Sequence, residues 1–128
     1  MDVIESAALK APFVIVDLEG TASMMVGYAM SLADLVIIPV QGSHLDATEA
    51  AKAIKLVRAQ ERVFKRTIPY TILFTRTTVA IRTRTFQSIE DEFAENQIPM
   101  LKTHLYERDA YRAIFAFGGA LSGQQSRG

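Results

Sequence analysis

The sequence contains no cysteine and has no excess of either charge. Without cysteine the chain can form neither disulfide bonds nor thiolate metal sites, which is compatible with a reducing cytosol. Lys plus Arg and Asp plus Glu number 14 each, so no field of the whole molecule attracts nucleic acid or an anionic membrane. Any contact with nucleic acid must therefore come from a local basic patch.

Long apolar runs are also missing from the sequence. None approaches the ~18 residues of a membrane helix, and Asp2 and Glu5 stand where a secretory signal is basic. We therefore expect a soluble cytoplasmic protein without membrane contact. With 128 residues, of which 49% are hydrophobic, the chain can bury one core. We assign residues 1–122 to one domain and residues 123–128 to a flexible tail.

Short apolar runs alternate with helical patterns along the chain. Runs rich in Val, Ile, Leu and Phe predict strands at 13–17, 35–40, 70–75 and 98–103. Helical spacing follows each run, at about 22–32, at 46–66, from Phe86 to about Asn96 and at about 107–117. This order predicts an α/β fold, a parallel sheet with helices on both faces. Ligands of such folds bind beyond the carboxyl ends of the strands.

The first predicted strand ends in an aspartate that is followed three residues later by glycine. Asp17 can hold magnesium there, and Gly20 lets a backbone N–H approach a phosphate oxygen. A structural alternative is that Asp17 caps the next helix and Gly20 forms the turn. A receiver domain is disfavoured, because that fold needs two strands and two helices before its aspartate.

The segments that follow Asp17 carry a family resemblance. Residues 13–57, which include DLEGTAS and ADLVIIPVQ, resemble the ParA/MinD-type P-loop partition ATPases, and most closely the ParA-like proteins of plasmid conjugation and T-DNA transfer. The resemblance continues through PYTILFTRT (69–77) and KTHLYERDAYRAIFAFGGAL (102–121) and covers residues 10 to about 122. It implies a P-loop ATPase fold, ATP and magnesium as cofactors, ATP-dependent dimerisation, and DNA and partition or transfer proteins as partners.

The resemblance also implies roles for individual residues. Asp17 matches the Walker-B aspartate, which holds magnesium through water, and Gly20 matches the switch position near the γ-phosphate. The loops near the adenine base would contribute Thr75, Arg76, Glu107 and Arg108.

One part of the family pattern is absent from these residues. No glycine-rich lysine loop stands among the 16 residues before Asp17, and that loop supplies most of the phosphate binding. We therefore expect the C-terminal part of a domain, without its loop-bearing strand and inactive in ATP hydrolysis alone. That strand would lie between 13–17 and 35–40, so we expect their edges to recruit a second copy or a full-length relative. A non-catalytic interaction module and a DNA-binding piece that acts without nucleotide stay open as alternatives.

Two basic clusters are candidates for DNA contact. The segment TRTTVAIRTRT (75–85) places Arg76, Arg82 and Arg84 around a helix start, and arginines among hydroxyl residues suit phosphate contacts. The alternative is that they are solvated or paired with the acidic run at 90–92. The second cluster consists of Arg58, Arg62, Lys65 and Arg66. It lies at a helix end, where the helix dipole accounts for it without a ligand.

Overall fold

The computed structural model describes residues 3–18, 24–77 and 83–107. Its elements are α1 (Val3–Ala8), α2 (Met24–Leu32), β1 (Val36–Val40), α3 (His44–Phe64), β2 (Tyr70–Thr77), α4 (Arg84–Glu95) and β3 (Leu105–Tyr106). The three strands form one parallel sheet in the order β1-β2-β3. The predicted α/β class is thus confirmed. The helix predicted at 107–117 and the tail at 123–128 lie outside the described residues, apart from residue 107.

The chain divides into two compact units. The first comprises Met1–Ile38 and Thr48–Thr71, and the second comprises Pro39–Ala47 and Ile72–Gly128. The core of the first unit contains Val26, Met30, Val57 and Ile68, against which Val36, Leu56 and Tyr70 pack. The largest buried side chains of the second unit are Val40, Ile72, Phe74, Phe86, Ile89 and Phe93.

Helix α3 begins at His44, two residues earlier than the sequence pattern indicates, and the hydroxyl of Ser43 caps it. The N–H of Asp46 donates to the Ser43 hydroxyl at 3.2 Å, and that hydroxyl donates to the Asp46 carboxylate. Such a cap satisfies a backbone donor that the first helical turn leaves unpaired. The helix then runs with Ala50, Ile54 and Val57 buried along one face, as their spacing predicts.

The end of α3 is fixed by two side chains that bind the backbone. Lys65 adopts a left-handed conformation with φ of 50° and ends the helix. Glu61 accepts a hydrogen bond from the N–H of Ile68 at 3.0 Å. Arg66 donates to the carbonyl of Ser31 and, at 2.6 Å, to that of Ala33. One member of the second basic cluster therefore has a structural role at the end of α2.

Helix α4 carries the aromatic packing of the second unit. The Thr83 hydroxyl accepts from the N–H of Phe86 at 3.1 Å and caps the helix. The fully buried ring of Phe74 lies 4.8 Å from that of Phe86 and 6.2 Å from that of Phe93, between ring centroids. The imidazole of His104 lies 5.2 Å from Phe74. These contacts hold the residue before β3, His104, against α4 and β2.

Two predicted strands are wrong as stated. Residues 13–17 adopt no regular secondary structure, and Phe13 and Ile15 are 86% and 94% exposed. A strand persists only when its backbone pairs with a neighbour, and among the described residues β1 is the edge of the sheet with nothing paired to its outer side. In the segment 98–103 only Met100 bridges to Ile72. Regular pairing with β2 begins later, at Leu105.

Helix α2 packs through one of several apolar sides. The structure buries Val26, Ala29 and Met30. Met25 is 74% exposed. The helix is apolar on nearly all sides, so its periodicity alone does not determine which side packs.

Candidate functional site

Asp17 lies at the end of an apolar segment of the first unit that has no regular secondary structure, and it is exposed. The described residues contain no group of three or more His, Cys, Asp or Glu side chains that could hold a metal ion. Any divalent cation at Asp17 would therefore receive fewer than three such ligands from this part of the chain. Magnesium suits that arrangement, because it keeps several waters and is held by one or two carboxylates together with phosphates. The paired residue of the motif, Gly20, lies outside the described residues.

In the second unit the carboxyl end of β2 and the segment after His104 come together. Thr75 pairs with Leu105, and Thr77 pairs with Tyr106. The N–H of Glu107 donates to the carbonyl of Thr77 at 3.0 Å. Three of the four residues expected near a nucleotide base, Thr75, Arg76 and Glu107, are thus brought to one sheet edge. The fourth, Arg108, lies outside the described residues.

Arg76 occupies an irregularity of this edge. The register between β2 and β3 shifts between Thr75 and Thr77, and Arg76 has a φ of 53°. The left-handed conformation costs a residue other than glycine roughly 1 kcal/mol or more. Bulges of this kind change the direction of a side chain and occur often beside binding sites. The exposed Arg76 side chain is accordingly available to a ligand at the strand end.

Two further side chains at this edge were not identified from the sequence as site residues. The hydroxyl of Thr77 is buried and has no hydrogen-bond partner within the described ranges. The Nε2 atom of His104 lies 3.9 Å from Glu90 Oε1, and both side chains are largely buried. The ring of His104 also lies 5.4 Å from Phe86 and 6.0 Å from Tyr106. Only the continuation of hydroxyl residues beyond Thr75 hinted at Thr77.

The arginines expected to contact DNA are only partly described. Arg84 is exposed and is the first residue of α4, a position where the helix dipole disfavours a cation. It lines a shallow surface depression together with Gln87, Ser88, Asp91, Glu92 and Glu95. The three carboxylates make the surroundings of Arg84 acidic overall. Arg82 lies outside the described residues.

Within the described ranges, no helix is both long and apolar enough to cross a membrane.

Comparisons with known proteins give the family and the fold. A model of the VirC1 protein family matches residues 4–121. Protein ParA of Rhizobium radiobacter is 40% identical over 134 residues, which cover 98% of this chain and 60% of that protein. The chain thus spans 60% of the length of this relative. The structure of Cyanthece apo McdA is similar with a TM-score of 0.63 at 16% identity, over 77% of this chain and 40% of that chain. At this identity the structural likeness supports the α/β fold alone.

Proposed function

The chain belongs to the VirC1 protein family, and on that premise we propose that it is a ParA-like protein of plasmid partition or of conjugal and T-DNA transfer. In this proposal it acts through ATP-dependent dimerisation and DNA binding, together with partition or transfer proteins. The family match over residues 4–121 is the observation that carries the proposal. The 40% identity to a protein named ParA supports it.

This proposal assigns nucleotide roles to two separate sets of residues, one in each unit. Asp17 would hold magnesium through a water molecule, and Gly20 would lie next to the terminal phosphate. Thr75, Arg76 and Glu107, which adjoin at the edge formed by β2 and β3, would contact the base. Magnesium would neutralise charge that develops during phosphoryl transfer.

The phosphate-binding groups of this site come from outside the 128 residues. No glycine-rich lysine loop is present among them, and that loop supplies the backbone N–H groups and the ammonium that hold the β- and γ-phosphates. A Walker-B carboxylate contributes a metal contact without a phosphate cradle. We therefore expect these residues alone neither to hydrolyse ATP nor to bind it more tightly than millimolar.

Calorimetric titration with a nonhydrolysable ATP analogue, with and without magnesium, tests this division of the site. The expected result is binding no tighter than millimolar for both the parent chain and Asp17→Ala. Magnesium-dependent binding in the micromolar range that Asp17→Ala abolishes would contradict it, because a complete site would then exist within these residues.

A second candidate function is a non-catalytic interaction module that pairs with another copy or a full-length relative. The first unit exposes many large apolar side chains, and large apolar surfaces on soluble proteins mark interaction sites. Phe13, Ile15, Met24, Met25, Leu35 and Ile37 are between 49% and 94% exposed. β1 also has an unpaired outer edge among the described residues, and such an edge can pair with another chain.

Sedimentation at micromolar concentration tests this association. We expect a dimer or larger species for the parent chain and a shift towards monomer for Ile15→Asp, because a buried aspartate without a partner opposes the apolar contact. Leu18→Asp is a control at a less exposed position in the same segment. A parent chain that sediments as a dispersed monomer would contradict the interaction module.

A further inference from the structure

The end of α3 carries a surface that is much more basic than the rest of the first unit. A shallow depression there is lined by Arg58, Glu61, Arg62, Lys65, Arg66 and Thr67, which is four cations against one carboxylate. The carboxylate of Glu61 accepts from the backbone N–H of Ile68. The structure thus concentrates positive charge on one surface of a chain whose total charge is balanced.

Hydrogen bonds to the backbone account for one of these four cations, Arg66. Arg66 donates to the carbonyls of Ser31 and Ala33, so its guanidinium stabilises the end of α2. Arg58 and Arg62 lie in the last two turns of α3, and both are exposed. No hydrogen bond or ion pair within the described ranges occupies Arg58, Arg62 or Lys65. These three residues form what we call the α3 basic face.

The geometry of the α3 basic face suits a polyanion with regularly spaced charges. At about 100° and about 1.5 Å per residue, Arg58 and Arg62 lie within roughly 40° of each other and about 6 Å apart along the helix. Lys55 continues the same flank one turn earlier and is also exposed. Val63 and Phe64 are exposed at the end of α3, but at about 100° per residue they lie about 100° and about 160° around the helix from Arg62. The flank of Lys55, Arg58 and Arg62 therefore presents no large apolar side chain with which to enter a lipid surface.

The other candidate basic segment is electrostatically less favourable. Arg84 shares its surface depression with Asp91, Glu92 and Glu95, and these carboxylates would repel a phosphate backbone. Phosphate contacts by Lys and Arg supply most of the affinity of nonspecific DNA binding. The surroundings of Arg84 therefore favour the α3 basic face over this segment.

We propose that the α3 basic face binds the phosphate backbone of duplex DNA and supplies more of the DNA affinity than the arginines at 76–84. This inference takes its partner from the proposed function and adds the surface that contacts it. The contact is insensitive to base sequence, because phosphates carry no sequence information.

The expected salt dependence follows from the number of contacts. Each phosphate contact contributes about 0.9 to the slope of log affinity against log salt, so three contacts contribute about 2.7. Over a fourfold rise in salt, from about 50 to about 200 mM, these three contacts account for an affinity loss of about 40-fold. A variant without them should lose that part of the salt dependence.

The experiment compares three triple variants with the parent chain, by retention on an unrelated 30-base-pair duplex at those two salt concentrations. The first is Arg58→Gln with Arg62→Gln and Lys65→Gln. The second is a charge-matched control at exposed lysines elsewhere, Lys10→Gln with Lys52→Gln and Lys102→Gln. The third is Arg76→Gln with Arg82→Gln and Arg84→Gln. Glutamine keeps a long side chain and a similar helix propensity, and circular dichroism verifies folding.

We expect the first variant to lose most binding and to reduce the salt slope by about 2 to 3, with the lysine control near the parent. Parent-like binding by the first variant would overturn the inference. If the third variant lost binding in that case, the proposed function would stay intact. A parent chain that does not bind DNA at either salt concentration would overturn both. Binding to phosphatidylserine vesicles without binding to duplex would assign the α3 basic face to a membrane surface and would also overturn the inference.

Discussion

Phe74 lies at the centre of the aromatic packing in the second unit, and Phe74→Leu tests that packing. Its ring is fully buried and lies against three other rings, those of Phe86, Phe93 and His104. Leucine retains much of the apolar volume but removes the edge-to-face and stacked contacts. The change therefore isolates the contribution of the ring from that of burial.

The expected loss is about 2 kcal/mol of the free energy of unfolding. Complete truncation of a buried phenylalanine costs about 3–5 kcal/mol, and each aromatic pair is worth about 0.5–1.5 kcal/mol beyond its buried area. Leucine recovers part of the free energy of burial and little of the energy of the aromatic pairs. With a urea m-value of about 2 kcal/mol/M, the midpoint of unfolding should fall by about 1 M.

Urea denaturation followed by circular dichroism measures this shift, and Phe13→Leu is the matched control. Phe13 is 86% exposed, so the same substitution there should change stability by less than about 0.5 kcal/mol. A loss at Phe74 as small as the loss at Phe13 would refute the view that this aromatic cluster organises the second unit.

Two further changes test individual contacts. Arg66→Gln should lower the free energy of unfolding by about 1 kcal/mol, because it removes hydrogen bonds to the carbonyls of Ser31 and Ala33. The control Arg62→Gln should leave thermal stability unchanged. Equal effects of the two substitutions would contradict the structural role of Arg66. Thr77→Val should leave the stability unchanged or raise it by up to about 1 kcal/mol in the same melting experiment, because it removes a buried hydroxyl that has no partner within the described ranges. A loss of stability above about 1 kcal/mol would indicate that the hydroxyl does have a hydrogen-bond partner.

The sequence predicted well those elements whose patterns are local. The apolar runs at 35–40 and 70–75 correspond to β1 and β2. The periodic segments at 46–66 and 86–96 correspond to α3 and α4. The predicted and observed ends of these four elements differ by two residues or fewer. The short helix α1 was not anticipated. The segment 13–17 failed because its strand character depends on a neighbour to pair with, which its own composition does not reveal.

The candidate site shows the same division between local and distant information. The structure brings the end of β2 next to residues 105–107, and the family resemblance implied that Thr75, Arg76 and Glu107 lie near one base. The irregular register at Arg76 was not predictable, because it depends on how two distant segments align. The same holds for the Thr77 hydroxyl, which has no partner in the part of the chain that the structure describes. The acidic surroundings of Arg84 arise from residues about two to three turns later in α4. The functional roles of all the assigned site residues stay predictions.

We expect these residues to take part in an ATP-dependent ParA-like assembly through Asp17. Sedimentation of an equimolar mixture of the chain and the ParA protein of Rhizobium radiobacter, with magnesium and a nonhydrolysable ATP analogue, tests this most directly. We expect a mixed complex that forms only when magnesium and the analogue are present and that Asp17→Asn weakens at least tenfold. A mixture that sediments as separate components under all conditions, or a complex indifferent to both nucleotide and Asp17, would contradict it.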